Sequence, residues 1–237
     1  MNHKFVRSCG VAAMLLAQPA FAQTKIVLDD ADSGRVFEGL GAISQGGTSR
    51  NFADYPGKLD TVFKLFKQDT FPSWLFSVKH GATTLWERWD GWTPDKGFQN
   101  PGMNSFNHYS LGSCGEWMFS SLAGIDTDGA GFKKLMIRPT PGEGITWVKA
   151  SYDSISGKIA TSWKTGANRY SLDVTIPVNT TATVYVPAKD AAGVTESGKL
   201  ATKAKGVTFL RMEANAAVYA VGSGTYRFQS TLPETVK

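Results

Sequence analysis

Two hydrophobic periods divide this chain. Over residues 59–68, apolar side chains fall at Leu59, Val62, Phe63 and Phe66, the i, i+3, i+4, i+7 spacing of one helical face. Pro72 then interrupts, because proline disfavours helical geometry in the residue before it. The pattern predicts a second helix over residues 105–123. Asn104 can cap it, Leu111, Cys114, Met118 and Leu122 form its stripe, and Gly124 can end it. From Phe132 onward the period falls to two. Trp147, Lys149 and Ser151 alternate with Val148, Ala150 and Tyr152, and Tyr170, Leu172, Val174 and Ile176 with Ser171, Asp173 and Thr175. Ala182, Val184 and Val186 repeat the scheme, as do Val207 with Phe209 and Val218 with Ala220. Turns are expected at Ser156-Gly157, Gly166-Ala167-Asn168 and Ser197-Gly198. Short alternating strands joined this way predict an antiparallel β-sandwich. The fold class is therefore α+β.

Composition supports a globular chain: 42% of the 237 residues are hydrophobic and 19% charged. The opening reads as a secretory signal over residues 1–22. Lys4 and Arg7 precede the apolar run 11–17, and Ala20-Phe21-Ala22 offers a cleavage site. That run is too short to span a bilayer, which predicts an exported protein, periplasmic or extracellular, without a membrane partner. Removing Lys4 and Arg7 lowers the formal charge from +5 to +3. No basic stripe accompanies it, so nucleic acid is not an expected partner. Cys9 leaves with the signal. Cys114 then stands alone, with no base in its sequence neighbourhood, and reads as a small buried residue.

The candidate chemistry sits in GATTLWERWDG, residues 81–91. Glu87 lies between Trp86 and Trp89, with Arg88 and Asp90 beside them and Trp92 just beyond. Indole faces stack on the CH-rich face of a sugar, and a carboxylate can take a proton from water. The same residues would also serve as a buried aromatic cluster with an ion pair, and composition alone weighs the two readings about equally.

This run resembles a motif of bacterial α-L-rhamnosidases, inverting glycoside hydrolases built on an (α/α)6 barrel. The resemblance continues through FPSW at residues 71–74, NHYSLGSCGEW at 107–117 and LMIRPTPGEGITWVKASYDSISGKIATSW from residue 135, covering about 59–228. It implies that Glu87 is the general base and that His108 holds rhamnose hydroxyls. Trp86, Trp89 and Trp92 would help to bind substrate, and Glu116 would be structural. It implies a rhamnosylated glycoside or polysaccharide as substrate, with no cofactor and no metal. An inverting mechanism needs two carboxylates about 6.5–9.5 Å apart. The family's acid lies in an upstream motif that has no counterpart between Gln23 and Lys58. Asp54, Asp69 or a carboxylate of a partner chain could substitute for it.

A second resemblance is shorter. FEGLGAISQGGTSRNFADYP, residues 37–56, is similar to the start of galactocerebrosidase-type glycosidases, without any of that family's catalytic glutamates. The expected organisation is a signal over 1–22 and a Gly/Ser-rich segment over 23–57. A poorly packed helical remnant of the (α/α)6 barrel follows over 58–127, then a C-terminal antiparallel β-sandwich over 128–230. The activity implied is inverting hydrolysis of terminal α-L-rhamnosyl linkages, by a truncated or chimeric chain lacking the general acid. The alternatives are a non-catalytic carbohydrate-binding sandwich, an inactive remnant, or, by its N-terminus, a galactosylceramidase-like protein.

Overall fold

Strands take over where the period of two begins. The computed structural model describes Lys25–Val27, Val36–Glu38 and residues 59–142 and 144–233. The expected signal and most of the galactocerebrosidase-like stretch lie outside the described residues. So does Asp54.

In chain order the strands are β1 (Lys25–Val27), β2 (Val36–Glu38), β3 (Trp92–Thr93), β4 (Gly97–Phe98), β5 (Ile125–Thr127), β6 (Lys134–Ile137) and β7 (Trp147–Ser154). They continue with β8 (Gly157–Gly166), β9 (Arg169–Ile176), β10 (Thr181–Pro187), β11 (Thr195–Glu196) and β12 (Lys199–Leu200). Last come β13 (Val207–Glu213), β14 (Ala216–Val221) and β15 (Gly224–Thr231). An eight-stranded sheet, ordered β12-β11-β15-β9-β8-β7-β1-β2, faces a five-stranded one, ordered β13-β14-β10-β6-β5. The central hairpins follow from their turns. Ala167 and Asn168 both take positive φ, 46° and 63°, the two-residue geometry that matches strand twist.

The core lies between the sheets. Val148, Ile159, Trp163, Leu172, Val174, Val184 and Phe228 are all buried there. Trp147 is half-buried, on the opposite face of β7 from Val148. Three features differ from the sequence reading. β6 runs parallel to β10, since the chain leaves to build β7–β9 in the other sheet and re-enters in the same direction. The core side chains of β14 are Ala217, Tyr219 and Val221, one register from the expected Val218 and Ala220. Val218 is also fully buried, paired between Tyr185 and Arg211, so burial on both faces hid the alternation. Finally, the five-stranded sheet already starts with β5, ahead of the expected break near 128–131.

Among the described residues, three α-helices lie between β2 and β5. α1 (Leu59–Lys67) is the predicted one. α2 (Trp74–Lys79) follows the proline break and is capped by Ser73, whose hydroxyl accepts from Phe76 N at 3.0 Å. α3 (Cys114–Trp117) is the α-helical centre of a longer element. A 3-10 turn, Ser110–Ser113, leads into it and a π turn, Met118–Leu122, follows it. Gly124, at φ 71°, ends it. Residues 105–109 are not helical and Asn104 is not its cap. Their backbone groups pair with the loop carrying Glu87 instead.

The helices are not poorly packed. Phe63, 1% exposed, meets Trp117 edge-on at 5.5 Å. A Cβ on Gly142 would come within 2.0 Å of the Phe63 ring, so only glycine lets this loop lie on α1. At the far end of the α3 element, Trp163 Nε1 donates to Leu122 O at 2.7 Å and Thr161 Oγ1 to Ala123 O at 2.8 Å. Carbonyls that a helix end leaves without partners are thus bonded by side chains of β8. One buried cluster runs from Val62 and Phe63 through Leu122 into both sheets.

Candidate active site

Two loops, zipped together through their backbones, carry the site. Glu87 N donates to Ser105 O at 2.8 Å and His108 N to Leu85 O at 2.9 Å. Thr84 Oγ1 donates to Phe106 O. This pairing sets the Glu87 loop beside the His108 loop, so the structure brings together the two residues that stand twenty-one positions apart in the chain.

Ser105 also fixes the carboxylate. Its N–H donates to Glu87 Oε2 at 2.8 Å, while Oε1 has no partner among the described residues. Glu87 is half-buried. One oxygen is therefore anchored and the other is left to accept from water. His108 is half-buried too, stacked on Tyr109 with ring centroids 4.9 Å apart. Ser110 N donates to its Nδ1 at 3.3 Å. In a neutral ring, an accepting Nδ1 assigns the proton to Nε2, which is then a donor.

The tryptophans differ in access. Trp86, 8% exposed, packs edge-on against Phe106 at 5.4 Å. Its ring is part of the cluster that supports the loop. Trp89 stands edge-on to Trp74 at 5.2 Å, and Trp92 opens the β3–β4 hairpin. Both are half-buried and retain surface for a sugar face. Trp74 and His80 were not singled out from the sequence. Trp74 Nε1 donates to Leu111 O at 2.8 Å, tying α2 to the turn before α3. His80 Nδ1 lies 2.8 Å from Phe76 O, with its ring 5.5 Å from Trp92.

The carboxylates nearby are engaged as anions. Arg88 grips Asp90 through two bonds, Nε to Oδ1 at 3.0 Å and Nη2 to Oδ2 at 2.9 Å, and the hydrogen bond lowers the Asp90 pKa. Asp69, one of the expected substitutes for the acid, accepts from Lys79 Nζ at 2.9 Å, and its pKa is lowered as well. A general acid needs its proton held, hence a raised pKa. Asp69 is therefore the wrong carboxylate for the task. Burial pushes the Cys114 thiol up to about 11, which leaves it without nucleophilic character near neutrality.

Two family models account for the region just described. The bacterial α-L-rhamnosidase six-hairpin glycosidase domain matches residues 51–122, and the bacterial α-L-rhamnosidase C-terminal domain matches 124–201. The chain belongs to the bacterial α-L-rhamnosidase family. An α-L-rhamnosidase of Streptomyces avermitilis is 43% identical over 172 residues, covering 73% of this chain and 16% of that protein. One of Formosa agariphila is 34% identical over 177 residues, covering 75% of this chain and 19% of the relative. Among solved structures, S. avermitilis α-L-rhamnosidase complexed with L-rhamnose superposes with a TM-score of 0.66 at 42% identity, covering 74% of this chain and 16% of that one. The α-L-rhamnosidase of Dictyoglomus thermophilum gives 0.63 at 31% identity, covering 74% and 19%. The chain thus spans under a fifth of the length of these relatives. The fold agrees with this part of the family: a C-terminal β-sandwich preceded by helices of the six-hairpin barrel.

Proposed function

We propose that this chain supplies the general-base side of an inverting α-L-rhamnosidase site, acting on rhamnosylated glycosides or polysaccharides after export. The observation that carries the reading is the pinned Glu87 carboxylate on a loop zipped to that of His108. Glu87 Oε1 would take the proton of a water attacking the anomeric carbon. His108 Nε2–H would donate to a rhamnose hydroxyl, with Trp89 and Trp92 offering apolar surface to the ring. Family membership supports this assignment, and so does the complex of a relative with L-rhamnose.

The described residues offer no counterpart for the general acid. Losing acid assistance costs about 10²–10⁴-fold in rate. An open wall also loses the positioning that makes bound substrate reactive. The isolated chain should bind rhamnose weakly and hydrolyse rhamnosides very slowly or not at all. Calorimetry with rhamnose and prolonged incubation with an aryl α-L-rhamnoside test this. The expected result is heat of binding that disappears in His108→Ala, with little or no product. A turnover number in the ordinary enzymatic range of about 1–10³ s⁻¹ would overturn it.

A further inference from the structure

Ser105 holds the Glu87 carboxylate from an exposed position. Water competes for an exposed hydrogen bond, and the bond weakens steeply once its donor is misaligned. The Ser105 backbone must therefore be held in place. Its own hydroxyl faces downstream instead, where Oγ accepts from Asn107 N at 3.1 Å.

The residue before it is placed to do the holding. Asn104 is half-buried, and its Nδ2 donates to Gly91 O at 2.9 Å and approaches Gln99 O at 3.5 Å. Gly91 ends the loop that carries Glu87, and Gln99 follows β4. The Asn104-Ser105 pair thus meets the Glu87 loop at three points: the Glu87 carboxylate, the Glu87 N–H and the Gly91 carbonyl. Gly91 O also accepts from Gln99 N at 3.0 Å. The Asn104 amide is therefore an additional tie, and its removal would leave no orphaned carbonyl at Gly91. The far side of the amide shows how closely it is seated. Asn104 Oδ1 is buried and accepts no hydrogen bond from the described residues. A Cβ on Gly91 would come within 2.6 Å of it, so only a glycine leaves this oxygen its place. A buried acceptor without a partner is costly and calls for an explanation. The grip on Gly91 O supplies one.

We propose that Asn104 is a positioning residue for the candidate base. Its amide ties Ser105 to Gly91 and so keeps the Ser105 N–H aimed at Glu87 Oε2. The inference rests on the reading of Glu87 as the general base and adds the residue that holds it. Asn104 acts through Ser105. The same bond fixes the start of the β3–β4 hairpin, since Trp92 follows Gly91 directly.

The test needs no substrate. In proton–nitrogen NMR spectra of the full chain, the Ser105 amide proton should move downfield as the Glu87 carboxyl ionises. Glu87→Gln should abolish that titration and so identify the resonance. Asn104→Leu keeps the volume and removes the donor, while Gly91→Ala keeps Asn104 and pushes its amide aside. In each variant the titration shift should fall to about half or less, because the hydrogen bond loses its alignment. Gly142→Ala disturbs the α1 contact instead and should leave the shift whole, which separates positioning from a general loss of stability. The proposal is overturned by a full shift in either Asn104→Leu or Gly91→Ala, by an equal loss in Gly142→Ala, or by a wild-type Ser105 amide that does not titrate. An Asn104→Leu chain that no longer folds would also overturn it, by making the amide part of the fold. Calorimetry with rhamnose keeps the two readings apart. Rhamnose binding with an undiminished shift in Asn104→Leu sinks this inference alone, whereas a diminished shift without rhamnose binding sinks the rhamnosidase reading and leaves the tie to Ser105 standing.

Discussion

Ser105 is the residue that turns a glutamate into a candidate base. Its N–H and C=O both bond to Glu87, one to the side chain and one to the backbone. Glu87→Gln keeps the shape and takes away the proton-accepting charge. Any measurable rhamnoside hydrolysis should fall by about 10²-fold or more in that variant while its circular dichroism stays unchanged. Undiminished hydrolysis would exclude Glu87 as the base. Cys114 gives a second prediction. Its folded pKa is raised from 9.0 to about 11, so the folded state keeps a proton that the unfolded chain releases. Its contribution to stability is present below pH 9 and is lost as pH climbs from 9 toward 11. Iodoacetamide at pH 8 should therefore label the native chain slowly and the urea-unfolded chain fast. At this scale, the sequence supplied the candidate residues of the site, Glu87 and His108 among them. It did not show that Trp86 would be packed away while Trp89 and Trp92 kept surface, because burial of an indole depends on distant neighbours such as Phe106 and Trp74.

Among the elements, α1 was legible from its stripe and the long strands from their alternation. α2 was missed because Pro72 drew attention to the break, although Ser73 is a good cap two residues before Leu75. The start of the α3 element was misplaced for a different reason. Asn104 is a good cap by type, yet its Nδ2 donates to Gly91 O at 2.9 Å, and residues 105–108 are held by a loop twenty residues earlier. No local propensity reveals that competition. α1 depends on its contact with the α3 element. Phe63→Ala should destabilise the chain by about 3–5 kcal/mol in urea unfolding, the usual cost of emptying a buried aromatic site. Gly142→Ala should also destabilise it, because the new methyl meets the same ring. If Phe63→Ala cost under about 1 kcal/mol, the docking of α1 would not be structural.

For the whole molecule, the sandwich was readable because its strands are long and their turns local. The parallel β6–β10 pairing was not, since it joins segments over forty residues apart whose order no turn dictates. Trp163 sits at the junction of the two halves. Trp163→Phe keeps most of the ring and withdraws the donor from Leu122 O, leaving a buried carbonyl without its partner at about 1–3 kcal/mol. Its urea midpoint should fall with an unchanged slope.

The clasp of Trp163 and Thr161 on the last carbonyls of the α3 element has a kinetic meaning as well. Breathing of the Glu87 and His108 loops and breathing of the sandwich cannot be independent when the helix between them is tethered from β8. In amide hydrogen exchange, the amides of residues 117–123 should open only with those of β8 and β9, at the same rate and with the same denaturant dependence. The join between the segments matched by two separate family models would then exchange as slowly as the sandwich strands that hold it.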